Sequence, residues 1–200
     1  YFPIDVTHSD AANQALLAAI NNFGGLDILI SNAGAAHAGP MLDISNEELR
    51  NAFELNFFSH YSFSTEAAKI LKDQNRGGQI LFNISKQAVN PGKNFGAYGL
   101  PKATTFFLMR QLALELGSDG IRVNGINADR IRSGLLTDDF ISSRAKSRGV
   151  SESEYMAGNL LNKEVTAEHV ADAFTALACA ESTTGHVMTV DGGNIEASLR

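Results

Sequence analysis

The sequence predicts an α/β fold, a doubly wound parallel sheet covered by helices, and three observations predict it. Amphipathic segments of helical length alternate along the chain with short apolar runs, and strands buried on both faces read as such runs. Glycines or turn residues separate the two kinds of segment, as they do where helices stop. Two hundred residues, 44% of them hydrophobic, suffice for one domain with an ample core, so residues 1–200 read as a single domain.

Each element has its own signal. Ser9 or Asp10 can cap a helix carrying Ala12, Leu16, Leu17, Ile20 and Phe23, which Gly24-Gly25 stops. Leu26 to Ile30 reads as a buried strand. Ser45 with Glu48 is a capping-box signal for a long helix from about 46 to 73, and Gly77-Gly78 leads into a strand from Gln79 to Ile84. A helix follows Tyr98 to about Leu116, and Gly120 precedes a strand from Ile121 to Ile126. Residues 130–160 lose clear periodicity while gathering Ser, Gly, Arg and Asp, and read as a substrate lid. Thr166-Ala167-Glu168 opens a helix to about Ala180, and Val187 to Val190 is a final strand ended by Asp191-Gly192-Gly193.

Bulk composition excludes some functions. A formal net charge of -6 argues against a nucleic-acid footprint, which needs a basic face, and leaves small molecules or proteins as partners. No run of eighteen apolar residues and no leader signal is present, so neither a membrane span nor secretion is indicated. The single Cys179, in an apolar helical run, reads as a buried inert thiol in a reducing, cytoplasmic setting. The helices around Phe57, Phe58 and Phe63 and from Phe106 to Leu114 are apolar on more than one face. A helix of that kind is buried on two sides, which predicts a homodimer or homotetramer through segments 46–73 and 98–116, with a wholly core role as the alternative.

Tyr98 and Lys102 carry the chemistry. In a helix, positions i and i+4 share a face, so the lysine charge favours the phenolate and makes a phenol usable as an acid-base near neutrality; Ser85 could hold the substrate oxygen. The pair alone is a spacing chance often supplies. Pro101 lies between the two, and proline is comfortable only in a first turn, so the helix is expected to begin near Ala97. Asn32-Ala33-Gly34 follows a strand at the carboxyl edge where open sheets bind ligands, although read alone it is a turn.

Asp5-Val6, Ser31-Asn32-Ala33-Gly34, Asn56, Ser85, Tyr98 with Lys102, and Val190-Asp191-Gly192-Gly193 occur in the order and spacing of the classical short-chain dehydrogenase/reductases, which the chain resembles over nearly its whole length. The resemblance implies a Rossmann-like fold and an NAD- or NADP-dependent oxidoreductase acting on a small hydroxy compound or its carbonyl. Tyr98 would be the acid-base, Lys102 would lower its pKa and hold the nicotinamide ribose, and Ser85 would orient the substrate oxygen. Asn56 would interrupt its helix and hold a relay water; a solvated helix asparagine is the alternative. Asp5 would accept from the adenine amino group, Val6 would contact adenine, and the backbone of Asn32, Ala33 and Gly34 would line the adenosine ribose. Ile131 and Ser133 match the positions that touch the carboxamide and nearby phosphate.

The chain departs from the family pattern in its lack of a glycine-rich phosphate loop, so the first βαβ unit is expected to be missing from a longer native polypeptide. Asn127-Ala128-Asp129 replaces the usual Asn-Pro-Gly, and Arg130 or Arg132 in that loop is a candidate partner for an anionic group, with two solvated arginines as the alternative. Ser85-Lys86-Gln87-Ala88, Gly92-Lys93-Asn94 and the ending from Val190 to Arg200 resemble the dehydrogenase half of bifunctional aldolase/short-chain dehydrogenases of rhamnose breakdown. That implies an N-terminal aldolase domain, a role in carbohydrate metabolism and a lactaldehyde-type or sugar-derived substrate. A nucleotide-sugar epimerase-type enzyme and a non-catalytic assembly module with the same fold are the competing functions. No metal site is expected.

Overall fold

The structure, a computed structural model, describes residues 1–194; the last part of the resemblance, up to Arg200, lies outside them. Four strands, β1 (Ile28–Ser31), β2 (Gly78–Asn83), β3 (Ile121–Ala128) and β4 (Val187–Val190), form one sheet in the order β1-β2-β3-β4. All three pairings are parallel, with Ile30 beside Leu81, Leu81 beside Asn124 and Ala128 beside Val190. Parallel neighbours need crossovers, and helices supply them. They are α1 (Ala11–Phe23), α2 (Asn46–Phe53), α3 (Ser59–Gln74), α4 (Gly96–Leu116), α5 (Asp138–Arg148), α6 (Glu152–Met156) and α7 (Ala167–Cys179). The layering is Rossmann-like, as expected.

Alternation along β2 builds two cores. Ile80 and Phe82 point to one face, where they pack with Leu71 of α3, Met109, Leu112 and Leu116 of α4, and Val123. Leu81 points to the other and meets Ile126 with Val170, Phe174 and Leu177 of α7. Gln79, on that second face, donates from Nε2 to the Leu177 carbonyl at 2.8 Å. The period of two in the strands thus matches helices on both sides of the sheet.

Several expectations change in detail. The strand from Leu26 to Ile30 is not buried on both faces: among the described residues β1 pairs only with β2, and Ile28 and Ile30 are 44% and 52% exposed while Leu29 packs inward. Asp10 stands at the N-cap of α1 without a side-chain cap bond, its carboxylate accepting from Asn13 and Gln14 instead. Residues 130–160, without clear periodicity in sequence, hold two short helices. Thr137 caps α5 and Ser151 makes a capping box with Glu154 on α6, and Ile141, Ala145, Tyr155 and Met156 form a small core of their own. The apolar residues are too sparse for a visible stripe because the pair buries one side only. Cys179 is exposed, not buried. It closes α7 and lies off the Val170, Phe174, Leu177 stripe that faces the sheet.

Candidate active site

The long helix of residues 46–74 is broken as the resemblance implied. Ser45 closes a full capping box with Glu48 at the start of α2, and the turn Glu54–Phe58 between α2 and α3 is a π-helix. Such a bulge moves one residue out of the helical register, and that residue is Asn56, 1% exposed. Its Nδ2 donates to the Ala35 and Ala52 carbonyls at 2.9 and 3.1 Å, and its Oδ1 accepts from the Ala35 amide at 3.3 Å. Asn56 is therefore a clamp on the loop after β1, and the solvated alternative is gone. Its own carbonyl accepts from Thr105 Oγ1 at 2.8 Å.

That loop fits because Gly34 has no side chain. A Cβ there would lie 2.8 Å from Asn56 Oδ1 and 3.6 Å from Lys102 Nζ. Asn32 accepts from Asn83 Nδ2 at 2.7 Å, which ties the end of β1 to the end of β2. Asp5 turns on itself, accepting from the Thr7 amide at 2.9 Å and hydroxyl at 2.7 Å, bonds that hold its carboxyl below the ordinary range. Val6 beside it is half-buried.

Helix α4 begins at Gly96, one residue before the expected start, and Pro101 falls in its second turn. Lacking an N–H, Pro101 gives the Ala97 carbonyl no partner one turn on. Tyr98 and Lys102 are both buried on the inner face of this helix. The Tyr98 hydroxyl is hydrogen-bonded to Ser85, which burial-driven pressure opposes: burial pushes the phenol above its ordinary pKa, and the Ser85 bond pulls it back in part. This corrects the expectation that Lys102 lowers it. Lys102 Nζ lies 5.8 Å from the centre of the Tyr98 ring, donates to the Asn83 carbonyl at 3.0 Å and meets His60 Nε2 at 3.4 Å. Those two partners take its hydrogen bonds. Burial at 2% exposure brings its pKa down from 10.5 to about 8.

His60 is a site residue that sequence reasoning missed. It is 1% exposed, with Nδ1 2.6 Å from Ser31 Oγ. Burial first, and the neighbouring Lys102 charge second, push its pKa down to about 3, so the ring is neutral. Facing an ammonium, Nε2 serves as the acceptor, which assigns the proton to Nδ1 and makes Ser31 the acceptor there. A histidine four residues after Asn56, across a π-turn, has no helical-face signal to reveal it.

A cleft of about 370 Å³ opens at the carboxyl ends of the strands, with Ser85 and Tyr98 in its wall. Ile131, Ser133 and Arg130 line it from the loop after β3, and Phe140 and Arg144 from α5. Asp129, where the family pattern has glycine, is a second unforeseen feature. Its carboxylate takes Lys86 Nζ with both oxygens at 3.0 Å and Arg130 Nε at 3.5 Å, all three side chains being largely buried. Arg130 holds a left-handed backbone, φ 54°, with its guanidinium on the Tyr155 carbonyl at 2.6 Å and 4.8 Å from the Tyr155 ring centre. Arg132 does not line the cleft; Glu164 and Asp138 hold it at 2.7 and 2.6 Å on the surface. Among the described residues no cluster of His, Cys, Asp or Glu is arranged to hold a metal ion.

Comparison with known proteins agrees with this geometry. A family model described as enoyl-(acyl carrier protein) reductase matches residues 1–194. The chain is 35% identical over 198 residues to the uncharacterized oxidoreductase YuxG of Bacillus subtilis (strain 168), covering 95% of this chain and 29% of that longer protein. It is 31% identical over 194 residues to the 7alpha-hydroxysteroid dehydrogenase of Escherichia coli (strain K12), covering 96% of this chain and 72% of the relative. The solved structure of a short-chain type dehydrogenase/reductase from Mycobacterium ulcerans superposes with a TM-score of 0.86 at 30% identity, over 98% of this chain and 70% of that one. With Ser85, Tyr98 and Lys102 gathered beside a π-turn asparagine at the mouth of a parallel sheet, the chain belongs to the short-chain dehydrogenase/reductase family.

Proposed function

We propose that this site is that of an NAD(P)-dependent oxidoreductase interconverting a small hydroxy compound and its carbonyl, with Tyr98 as the acid-base. The observation that carries the reading is the hydrogen bond between the Ser85 and Tyr98 hydroxyls in the wall of the cleft. A carbonyl oxygen placed against both accepts two hydrogen bonds where negative charge develops. Burial keeps Tyr98 protonated, which suits proton donation to the nascent alkoxide in the direction of reduction. In oxidation the phenolate is the base, and the Lys102 amine lies 5.8 Å from the centre of its ring.

The residues fit a nicotinamide dinucleotide. Gly34 leaves open the space that a side chain would fill between Asn56 and Lys102, and the backbone of Asn32, Ala33 and Gly34 is exposed beside it. Lys102 and Tyr98 would hold the nicotinamide ribose, Ile131 and Ser133 the carboxamide end, and Asp5 and Val6 the adenine. When bound, NAD or NADP supplies or accepts the hydride.

The proposal extends to a lactaldehyde-type or sugar-derived substrate and to an aldolase domain on the native polypeptide, both supported by the loop resemblance. It also includes a homo-oligomer. Phe58, Tyr61, Leu100, Phe107 and Leu114 on α3, α4 and the π-turn are exposed, Phe107 by 67% and Leu114 by 80%, and a second copy of this chain would cover them. Nicotinamide absorbance with the full-length protein against small hydroxy-aldehydes, alcohols and sugars tests the activity. Turnover that survives Tyr98→Phe would defeat it, and no turnover with no dinucleotide binding would favour an assembly module.

A further inference from the structure

We propose that the substrate carries an anionic group, a carboxylate or a phosphate, and that Arg144 on α5 binds it. The inference rests on the oxidoreductase reading and names the substrate class of that same cleft, an anionic sugar-derived compound in place of neutral lactaldehyde. In a chain of net charge -6, the cleft is lined by Lys86, Lys93, Arg130, Arg144 and Arg148 but by a single carboxylate, Asp129. Asp129 is taken by Lys86 and Arg130. The cleft lining offers no second acidic side chain to face Arg144 and Lys93.

Arg144 is the most committed of them. Its guanidinium lies 5.7 Å from the Phe95 ring centre, and Phe95 in turn meets Phe140 edge-on at 5.7 Å and 77°. Phe95 is the N-cap residue of α4, three residues before Tyr98, and its carbonyl accepts the Tyr98 amide at 3.2 Å. The stack thus fixes the guanidinium next to the turn that carries the reacting hydroxyl. Its Nε is buried and has no hydrogen-bond acceptor among the described residues. A buried, unbonded donor on a charged group is costly. Stacking uses the face of a guanidinium and leaves its in-plane fork, which matches an oxyanion at two points. A substrate oxyanion accepting from Nε and a terminal nitrogen completes the group, and the cleft is of a size for a small molecule. Arg148, 5.3 Å from the Tyr155 ring centre and also in the lining, adds to the same field. The arginine predicted from sequence to meet an anion was Arg130 or Arg132; those two are held by Asp129 and the Tyr155 carbonyl, and by Glu164 and Asp138.

The test compares hydroxy acids and sugar or triose phosphates with neutral alcohols and hydroxy-aldehydes of the same carbon skeleton, in the full-length protein. Anionic substrates are expected to have the higher kcat/KM, and Arg144→Gln to lower it about 10- to 100-fold while leaving cofactor KM and the neutral substrates unchanged. Malonate and inorganic phosphate should raise the melting temperature of the wild type and not of the variant, a readout independent of turnover. Arg148→Gln, at an exposed position, should lower the same preference about threefold with folding intact. Equal use of neutral and anionic substrates, an equal loss on both, or a change in cofactor KM alone would overturn the inference while leaving the oxidoreductase reading standing. Absence of turnover with every compound would instead remove that reading.

Discussion

Replacing Lys102 with methionine should change how stability responds to alkali, by an amount the structure fixes. The ammonium is 2% exposed and its pKa falls from 10.5 to about 8 because burial penalises the charged form. Between pH 8 and 10.5 the unfolded chain therefore holds a proton that the folded chain has released, and wild-type stability rises with pH across that window. At about 1.36 kcal/mol per tenfold change in proton affinity, the gain is about 3 kcal/mol. At pH 7 the folded protein carries this penalty in full. The methionine variant escapes it but leaves the Asn83 carbonyl, which now accepts from Nζ at 3.0 Å, without that donor, at a cost of about 1–3 kcal/mol. The two proteins should be nearly equal in stability at pH 7, with the wild type ahead by about 3 kcal/mol more at pH 10.5. Urea unfolding of both at pH 7, 8.5 and 10.5 measures the difference, and groups common to the two cancel. A difference that stays constant from pH 7 to 10.5 would refute a depressed Lys102 pKa.

Four further outcomes are expected. His60 is neutral with a pKa of about 3 against an ordinary 6.5, so its contribution is lost as pH falls below 6.5; His60→Leu should narrow its stability gap to wild type by about 3 kcal/mol between pH 7 and 4 in urea titrations. Gly34→Ala puts a Cβ 2.8 Å from Asn56 Oδ1, and displacing that clamp should cost about 1–3 kcal/mol and at least tenfold in kcat/KM, read by unfolding and by nicotinamide absorbance. Asp129→Asn removes the anion shared by Lys86 and Arg130 and should destabilise by about 3 kcal/mol, seen as a lower urea midpoint. Tyr98→Phe should lower turnover by more than a thousandfold with the circular dichroism spectrum intact, and wild-type oxidation, which needs the phenolate, should rise with pH while reduction does not.

The apolar run of Ile80, Leu81 and Phe82, the glycines that stop helices and the capping residues Ser45 and Thr166 were readable because each acts within a few residues of chain. They determined a parallel α/β sheet, the order of its elements and the positions of Ser85, Tyr98 and Lys102. The proline rule placed the start of α4 only to within a residue, since the helix begins at Gly96 and carries Pro101 in its second turn. Whatever depends on distant partners was closed to the sequence. His60 gains its role only because α3 sets it against Ser31 of β1 and Lys102 of α4, and no spacing rule links those positions. The Tyr98 phenol was expected to be acidified by a neighbour on its own helix, but burial raises its pKa and the Ser85 hydrogen bond offsets that only in part. Which arginine is left for a ligand was likewise decided in three dimensions: Asp129 holds Arg130, Asp138 and Glu164 hold Arg132, and Arg144 is left with an aromatic face and a buried Nε that has no acceptor among the described residues. The sequence by itself determined the elements and the chemistry they bear, since propensity and caps are local. The tertiary structure alone decided the protonation states and the charge of the cleft, since burial and ion pairing are sums over the whole fold.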